Sequence, residues 1–177
     1  MDRTIFPALA MLLSLPLAAC TIDVREDDDR KDVDIRTPVA DVSVRTNEQQ
    51  LPDTGLPVYP GATVRREANE PESANVDVGA FGFGVKVAVA RFESADGEGP
   101  IVAFYKDALS RYGAVTECRG DVDFDGRTGP PVCRPERRSR DLQLVAGTRD
   151  DQHIVGVTPR GSGSEFALVH VATRGVD

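Results

Sequence analysis

The chain has 177 residues, with 21 lysines and arginines against 29 aspartates and glutamates, and its formal net charge is −8 at pH 7. An acidic chain is repelled by the phosphate backbone of nucleic acid, and the sequence has no sustained basic stripe interleaved with aromatic residues that would overcome this repulsion. Nucleic acid is therefore not expected as a partner. The length leaves room for one small domain behind a short N-terminal segment.

The N-terminal segment has the pattern of an export leader. Residues 5–17 form an uncharged and mostly apolar run that is preceded by Arg3. The run is shorter than the ~20 apolar residues that a bilayer-spanning helix needs, and Pro7 and Pro16 would disturb a permanent span. The pattern predicts a signal peptide over residues 1–19.

Leu17, Ala18, Ala19 and Cys20 together resemble the lipobox of bacterial lipoproteins. The resemblance implies that the sulfur of Cys20 receives a diacylglycerol, that the leader is removed and that the new amino terminus is acylated. In these lipoproteins an aspartate after the modified cysteine tends to retain the protein in the inner membrane, whereas this chain has Thr21. The resemblance thus implies a lipid anchor in the bacterial cell envelope, with the outer membrane facing the periplasm favoured. The alternative is an ordinary secretory leader cut after Ala19, which would also export the chain.

Charge dominates the segment that follows the lipobox. Residues 20–34 hold little to bury, which predicts a solvated acidic tether. Apolar and polar residues then alternate on either side of Pro38, so residues 35–55 are predicted to form a short strand pair and a linker. The Pro60–Gly61 turn places the start of the globular domain near residue 56.

Residues 56–177 are predicted to form a single α+β domain. Bulky and small residues alternate over 81–92, which predicts a strand with its bulky face in the core. Helical spacing of apolar residues after Pro100, ended by Gly113, predicts the main helix. Three further strands at 141–148, 153–158 and 165–174 are separated by short turns, which predicts an antiparallel meander.

These elements predict a two-layer α+β sandwich in which one main helix covers an antiparallel sheet of about four to six strands. The predicted core consists of Phe81, Phe83, Val85, Val87, Phe104, Leu109, Leu142, Leu144, Val155, Phe166 and Leu168. The order of a YPGA turn, a strand, an FYKDAL helix and a meander is similar to that of uncharacterised domains of exported bacterial lipoproteins. This second resemblance covers residues 56–174.

Cys118 and Cys133 are an even pair in a chain that is predicted to be exported, which favours a disulfide bond. A redox-active pair and a thiolate metal site are the alternatives. The first lacks CxxC spacing, and the second lacks a nearby histidine.

An acidic stretch lies between these cysteines. Asp121, Asp123 and Asp125, followed by Gly126, repeat the first six positions of an EF-hand calcium loop. The twelfth position is Val132, where an EF-hand has a bidentate glutamate, so the pattern predicts weak calcium binding at best. An acidic turn without a metal is the alternative.

A basic cluster follows the second cysteine and consists of Arg134, Arg137, Arg138 and Arg140. Planar guanidinium groups suit phosphates and carboxylates, which occur in lipid head groups and cell-wall polymers. The cluster is therefore a candidate anion contact, and a solvated loop is the alternative.

The two histidines, His153 and His170, lie in the predicted meander. His170 shares strand parity with Phe166 and Leu168, which predicts a histidine satisfied within the core rather than a catalytic one. The sequence therefore predicts a lipid-anchored envelope protein with a non-catalytic interaction or structural domain, whose partner is an envelope protein or polymer. A weak calcium or small-ligand module is the alternative, with an enzyme as the third reading. No cofactor other than calcium is predicted.

Overall fold

The computed structural model describes residues 20–27, 30–38, 40–47, 51–65, 73–80 and 83–175, and the predicted signal peptide lies outside them. These ranges contain twelve strands and one helix. The strands are β1 (Thr21–Asp27), β2 (Arg30–Arg36), β3 (Ala40–Asn47), β4 (Thr63–Val64), β5 (Ser73–Ala80), β6 (Phe83–Ser94), β7 (Thr116–Cys118), β8 (Gly120–Phe124), β9 (Pro131–Pro135), β10 (Leu142–Thr148), β11 (Asp151–Arg160) and β12 (Gly163–Arg174). The helix α1 (Glu98–Ser110) lies between β6 and β7 in the chain.

One antiparallel sheet of ten strands dominates the fold. Its order is β1-β2-β3-β5-β6-β12-β11-β10-β7, and β4 pairs with the C-terminal end of β6. Strands β8 and β9 form a separate two-stranded sheet. The predicted α+β sandwich on four to six strands is therefore wrong, because the fold is mostly β and its sheet is about twice as large.

The additional strands form where the sequence predicts a flexible tether. Ile22 and Val24 alternate with charged residues in β1, as do Val33 and Ile35 in β2, and each apolar residue faces an apolar residue of the other strand. This period of two is typical of a strand with one apolar face, and the high charge of the segment conceals it. The tether prediction is therefore wrong, and the sheet continues across the boundary predicted near residue 56.

The strand pair expected around Pro38 is present as β2 and β3. The turn between them is closed by the amide of Thr37, which donates to the carbonyl of Ala40 at 2.9 Å. Because β3 also pairs with β5, this hairpin is an internal part of the sheet rather than a loosely attached ribbon.

Helix α1 confirms the main helix predicted after Pro100. Glu98 in its first turn complements the positive end of the helix dipole. Ile101, Tyr105 and Leu109 recur at a spacing of four and are fully buried. They pack onto the centre of the sheet against Ala90, Phe92, Leu144, Ala146, Val155, Val157, Phe166 and Leu168.

The meander of β10, β11 and β12 is confirmed as three adjacent antiparallel strands. Six residues of the predicted core are buried in it or beneath it: Leu109, Leu142, Leu144, Val155, Phe166 and Leu168. Phe104 packs on the same cluster with part of its surface exposed.

The face of β6 that packs against the helix is the opposite of the one predicted. Ala90 and Phe92 lie in the core under α1, whereas Phe83 is 54% exposed and Val85 and Val87 are half-buried on the other face. On the helix side Ala90 leaves room for the helix layer and Phe92 stacks on Phe166, while Phe83 and the valines are left on the far side. Phe81 lies outside the described residues.

That far side carries two ladders of β-branched residues, which we call the valine face. Cross-strand partners in the first ladder are Val24, Val33, Val44, Val76, Val87 and Val171, and those in the second are Ile22, Ile35, Val42, Val78, Val85 and Thr173. Such pairs contribute roughly 0.2–1 kcal/mol each to sheet stability. The ladders explain how the four strands β1, β2, β3 and β5, which have no helix above them, stay paired.

Candidate functional site

The helix side of the sheet is polar wherever α1 does not cover it. Two adjacent rows of cross-strand partners run along this side. One row is Arg25, Asp32, Arg45, Asn75, Ala88, His170 and His153, and the other is Asp23, Asp34, Ser43, Asp77, Lys86, Ala172 and Asp151. The antiparallel register therefore brings both histidines and one aspartate together where the polar rows meet the core.

Asp151, His153 and His170 converge at this border, and we call them the His-Asp cluster. His170 Nε2 lies 2.7 Å from Asp151 Oδ1, and His153 Nε2 lies 3.7 Å from the same oxygen. The two imidazole rings stack with 4.3 Å between centroids and 4° between planes. One ligand atom from each residue lies within 4.8 Å of the other two, and within the described ranges no other group of three His, Cys, Asp or Glu residues converges in this way.

His153 is the fixed member of the cluster. Only 4% of its surface is exposed, and its ring also stacks on Tyr112 with 3.5 Å between centroids. Its Nδ1 lies 3.1 Å from the carbonyl oxygen of Thr54, which can only accept, so Nδ1 carries the proton and Nε2 keeps a lone pair. Burial lowers the pKa of His153, and His170 lowers it further, so the neutral ring is favoured.

The loop that precedes β4 holds this arrangement from above. Gly55 has a φ of 71°, and its carbonyl accepts hydrogen bonds from Tyr112 Oη at 2.6 Å and from the Arg111 guanidinium. A Cβ on Gly55 would lie 2.7 Å from Tyr112 Oη and 3.1 Å from His153 Cε1. Both the backbone conformation and the close approach therefore require glycine here.

Accessibility differs strongly among the three members. The side chain of Asp151 is 62% exposed and that of His170 is 22% exposed, whereas that of His153 is 5% exposed. The cluster thus has one rigid inner nitrogen and two outer groups that solvent reaches. Two imidazole nitrogens with one carboxylate oxygen are a ligand set typical of zinc sites that keep an open position.

The sequence predicts His170 in the core and His153 near the start of a strand, and it does not predict that the two histidines meet. The missing step is the register of the β11–β12 hairpin, whose two-residue turn around Gly161 pairs His153 with His170. The same parity places Asp151 on their face, two residues before His153. Turn length and strand parity together would have found the cluster.

No family model, curated protein or solved structure matches this chain. The resemblance of residues 56–174 to domains of exported lipoproteins stays a prediction. The function is therefore inferred from the chain's own residues and their geometry.

Cys20, the predicted lipidation site, is exposed and directly precedes β1. An acylated Cys20 would hold the first strand of the sheet at the bilayer surface, because no intervening segment separates them. Within the described residues, no helix combines the length and the apolar character needed to cross a membrane.

The predicted disulfide bond is present. Cys118 and Cys133 are bonded, with their Cα atoms 5.3 Å apart. The bond joins β7 of the large sheet to β9 of the small one, so it attaches the β8–β9 hairpin to the rest of the fold.

The acidic stretch lies on this hairpin. Asp121 and Asp123 belong to β8, and Asp125 begins the turn after it. Asp123 accepts a hydrogen bond from Arg134 at 2.7 Å and has Arg149 at 3.4 Å, so its charge is already compensated. The three carboxylates do not converge on one point in the described structure. Weak calcium binding here stays a prediction.

The arginine cluster is divided between two elements. Arg134 lies on β9 and its guanidinium is bound to Asp123, whereas Arg137, Arg138 and Arg140 are exposed in the loop before β10. All four arginines are exposed, and the side chain of Arg134 stays 72% accessible beside Asp123. Anion binding by the cluster stays a prediction.

Proposed function

We propose that the protein is a lipid-anchored component of the bacterial cell envelope with a non-catalytic role, and that the outer strands of its sheet lie against the bilayer. The observation that carries this proposal is the position of β1, which begins one residue after Cys20 with an exposed apolar face. Export by the predicted leader and acylation of Cys20 are parts of the proposal.

The valine face at β1–β3 is the surface that meets the lipid. Ile22 is 65% exposed and Val24 is 55% exposed, and both follow the cysteine within four residues. Their ladder continues through β2 and β3, while the opposite side of the same strands carries mostly charged residues. A surface with one apolar and one charged side is suited to the interface between a bilayer and water.

The contact is limited to the first strands. Neighbouring strands rotate by about 20–25° relative to each other, so β5 and β6 turn away from any plane that β1 and β2 lie on. Burying a Val or Ile side chain completely is worth roughly 1.5–3 kcal/mol. The half-exposed side chains of β1 would add a fraction of that to the much larger contribution of several acyl chains, which hold a protein firmly. The sheet contact therefore orients the protein, and the lipid retains it.

The first test concerns the anchor. Cys20→Ser should abolish acylation, leave the leader uncleaved or miscut, and change how the protein partitions into detergent. Intact-mass measurement of the purified protein reports the first two changes, and detergent extraction of membranes reports the third. An unchanged mature mass together with unchanged extraction from membranes would contradict the anchor.

The second test concerns the valine face and uses two adjacent residues of β3. Val44→Cys and Ser43→Cys each add one thiol to the lipidated protein, on opposite faces of the sheet, for labelling with an environment-sensitive fluorophore. In lipid vesicles the label at position 44 should be quenched by nitroxide-bearing lipids, and the label at position 43 should not. The parent protein, without an added cysteine, should take up no label if Cys20 is acylated. Equal quenching at both positions, or at neither, would contradict the membrane contact.

A further inference from the structure

We propose that the His-Asp cluster is a binding site for a divalent transition metal ion, with zinc as the ion that its ligands suit best. Asp151 Oδ1, His153 Nε2 and His170 Nε2 supply three ligands, and water completes the shell. This inference goes beyond the proposed function, because it does not depend on acylation of Cys20 or on a membrane contact.

The ligand atoms are close to the spacing that a zinc ion requires. Ligands at about 2.0–2.1 Å from a tetrahedral ion lie roughly 3.3 Å from one another. The carboxylate oxygen is 2.7 Å from one imidazole nitrogen and 3.7 Å from the other, and all three atoms lie within 4.8 Å. The parallel rings of His153 and His170 must therefore splay so that their two nitrogens approach each other. Asp151 and His170 are partly exposed and have the freedom to make this adjustment.

His153 is prepared as a ligand by its neighbours. The carbonyl oxygen of Thr54 holds the Nδ1 proton, which leaves Nε2 directed towards the carboxylate of Asp151. A backbone carbonyl on the remote nitrogen is the usual way in which proteins fix the tautomer and orientation of a metal-binding histidine. The stack with Tyr112 fixes the plane of the same ring.

Two local features favour a cation at the cluster, and one opposes it. Asp151 contributes one negative charge, and the cluster lies beside the end of α1, where residues 111 and 112 follow the helix and the dipole is negative. Arg111 opposes this, since its guanidinium stacks over Tyr112 with 4.9 Å to the ring centroid. Its hydrogen bond to the carbonyl of Gly55 holds the guanidinium beside the cluster, so this charge weakens the binding of a cation.

The test is a calorimetric titration of the full-length protein, extracted from membranes in detergent, with zinc chloride. Free thiols are alkylated first, so that Cys20 cannot bind the ion if it is not acylated, and the other two cysteines are bonded to each other. Zinc should bind with one-to-one stoichiometry and raise the melting temperature. Because the chain has two histidines, the titration should also move two sets of imidazole signals in the NMR spectrum.

Two neighbouring carboxylates provide a matched pair of variants. Asp151→Asn removes a proposed ligand, whereas Asp150→Asn removes a carboxylate of the same turn that is bound to Arg127 and Thr173 instead. Loss of a ligand should weaken zinc binding at least as much as the roughly 10–100-fold effect typical of removing an orienting partner, and the control should change it little. His170→Asn should match Asp151→Asn.

Three results would overturn the proposal: no zinc binding by the parent protein up to millimolar metal, binding that Asp151→Asn and His170→Asn leave unchanged, or equal losses in Asp151→Asn and Asp150→Asn. His153 is left intact in these variants because its ring belongs to the buried packing. Asp151 is exposed, so its variant tests the site even if His170→Asn unfolds. A failure of zinc binding would leave the labelling results at positions 43 and 44 unaffected, so the two proposals fail separately.

Discussion

The half of the sheet under α1 and the outer half, made of β1, β2, β3 and β5, have the same antiparallel ladders, yet only the first builds a core. Leu168 and Val155 under the helix are at most 1% exposed, while Val33 and Val44 in the outer half keep part of their surface accessible. Strand pairing requires alternation and register, whereas burial also requires a second layer. The comparison shows that these two requirements are met separately in this molecule.

The two halves share the long strands β6 and β12. These strands pair along their whole length, from Ser164 opposite Ser94 to Arg174 opposite Gly84. Ala88 and His170 face each other where the helix cover ends. The His-Asp cluster thus lies at the point where the same strands pass from a packed to an open environment, which combines a rigid inner histidine with accessible outer ligands.

The largest expected effect separates the halves directly. Leu168→Ala should lower the free energy of unfolding by about 2–5 kcal/mol, because it leaves a cavity beneath α1. Val44→Ala should cost less than about 1.5 kcal/mol, since that residue is only partly buried. Urea unfolding of both variants in detergent measures the difference. Equal losses would mean that another layer covers the outer strands in the purified protein.

The sequence predicts the packed half well and the open half poorly, and the reason lies in particular residues. Tyr105 and Leu109 follow helical spacing, and Phe166 and Leu168 follow strand parity, so burial can be inferred where apolar patterns are strong. In β1 only two apolar residues alternate with five polar or charged ones, so charge conceals the strand. The order of the strands within the sheet is the second limit, since no local sequence pattern shows that β3 pairs with β5.

The preferred face of β6 and the His-Asp cluster show a third limit. Alternation along β6 is plain in the sequence, but tertiary packing decides which face receives the helix, and here it is the face of Ala90 and Phe92. The cluster depends in turn on the β11–β12 register. The core position predicted for His170 is met only in part, because 22% of its side chain is exposed, whereas His153, which the sequence predicts only to lie near a strand start, is the buried one.

The second prediction concerns how the β8–β9 hairpin is attached to the sheet. Reducing the Cys118–Cys133 bond should lower the free energy of unfolding by about 3 kcal/mol in the chain-entropy model, because the bond closes a loop of 15 residues. The ten-stranded sheet should persist, since its pairing does not involve the hairpin. Thermal unfolding with and without reductant, followed by far-UV circular dichroism, measures both effects. Two alkylatable thiols in protein taken directly from the envelope would show that the bond does not form.

The third prediction addresses the loop that holds His153. Gly55→Ala should destabilise the fold by about 2 kcal/mol or more, because alanine at positive φ costs roughly 1–2 kcal/mol and its Cβ would also meet Tyr112 and His153. Gly61→Ala is the matched control, since Gly61 has a φ of 79° and open space around it. The difference between the two melting temperatures isolates the steric part. If Gly61→Ala lowered the melting temperature as much as Gly55→Ala, the close approach of Gly55 to Tyr112 and His153 would make no measurable contribution to stability.

The smallest expected effect lies in the alkaline range and depends on Tyr105. This side chain is fully buried under the loop before β4, and its hydroxyl donates to the carbonyl of Pro57 at 3.2 Å. Burial raises the pKa of Tyr105 far above its ordinary value of 10.0. In the unfolded chain the hydroxyl titrates near 10, so above that pH the unfolded state loses a proton that the folded state keeps. The contribution of Tyr105 to the free energy of unfolding is therefore fully present below pH 10 and decreases as the pH rises beyond it.

At pH 10.5 ionisation of Tyr105 in the unfolded chain lowers the free energy of unfolding by about 1 kcal/mol. The folded tyrosine stays protonated until the pH approaches its own, higher pKa, so it does not offset this loss. Tyr105→Phe removes the titrating group together with one hydrogen bond, whose loss costs about 0.5–1.5 kcal/mol at neutral pH. The variant should therefore be the less stable protein at pH 8, and the gap should narrow steadily between pH 9.5 and 10.5. Melting temperatures of both proteins over this range measure the gap. A constant gap would mean that Tyr105 ionises in the folded protein as readily as in the unfolded chain, and that the packing under α1 is looser than that of a closed core.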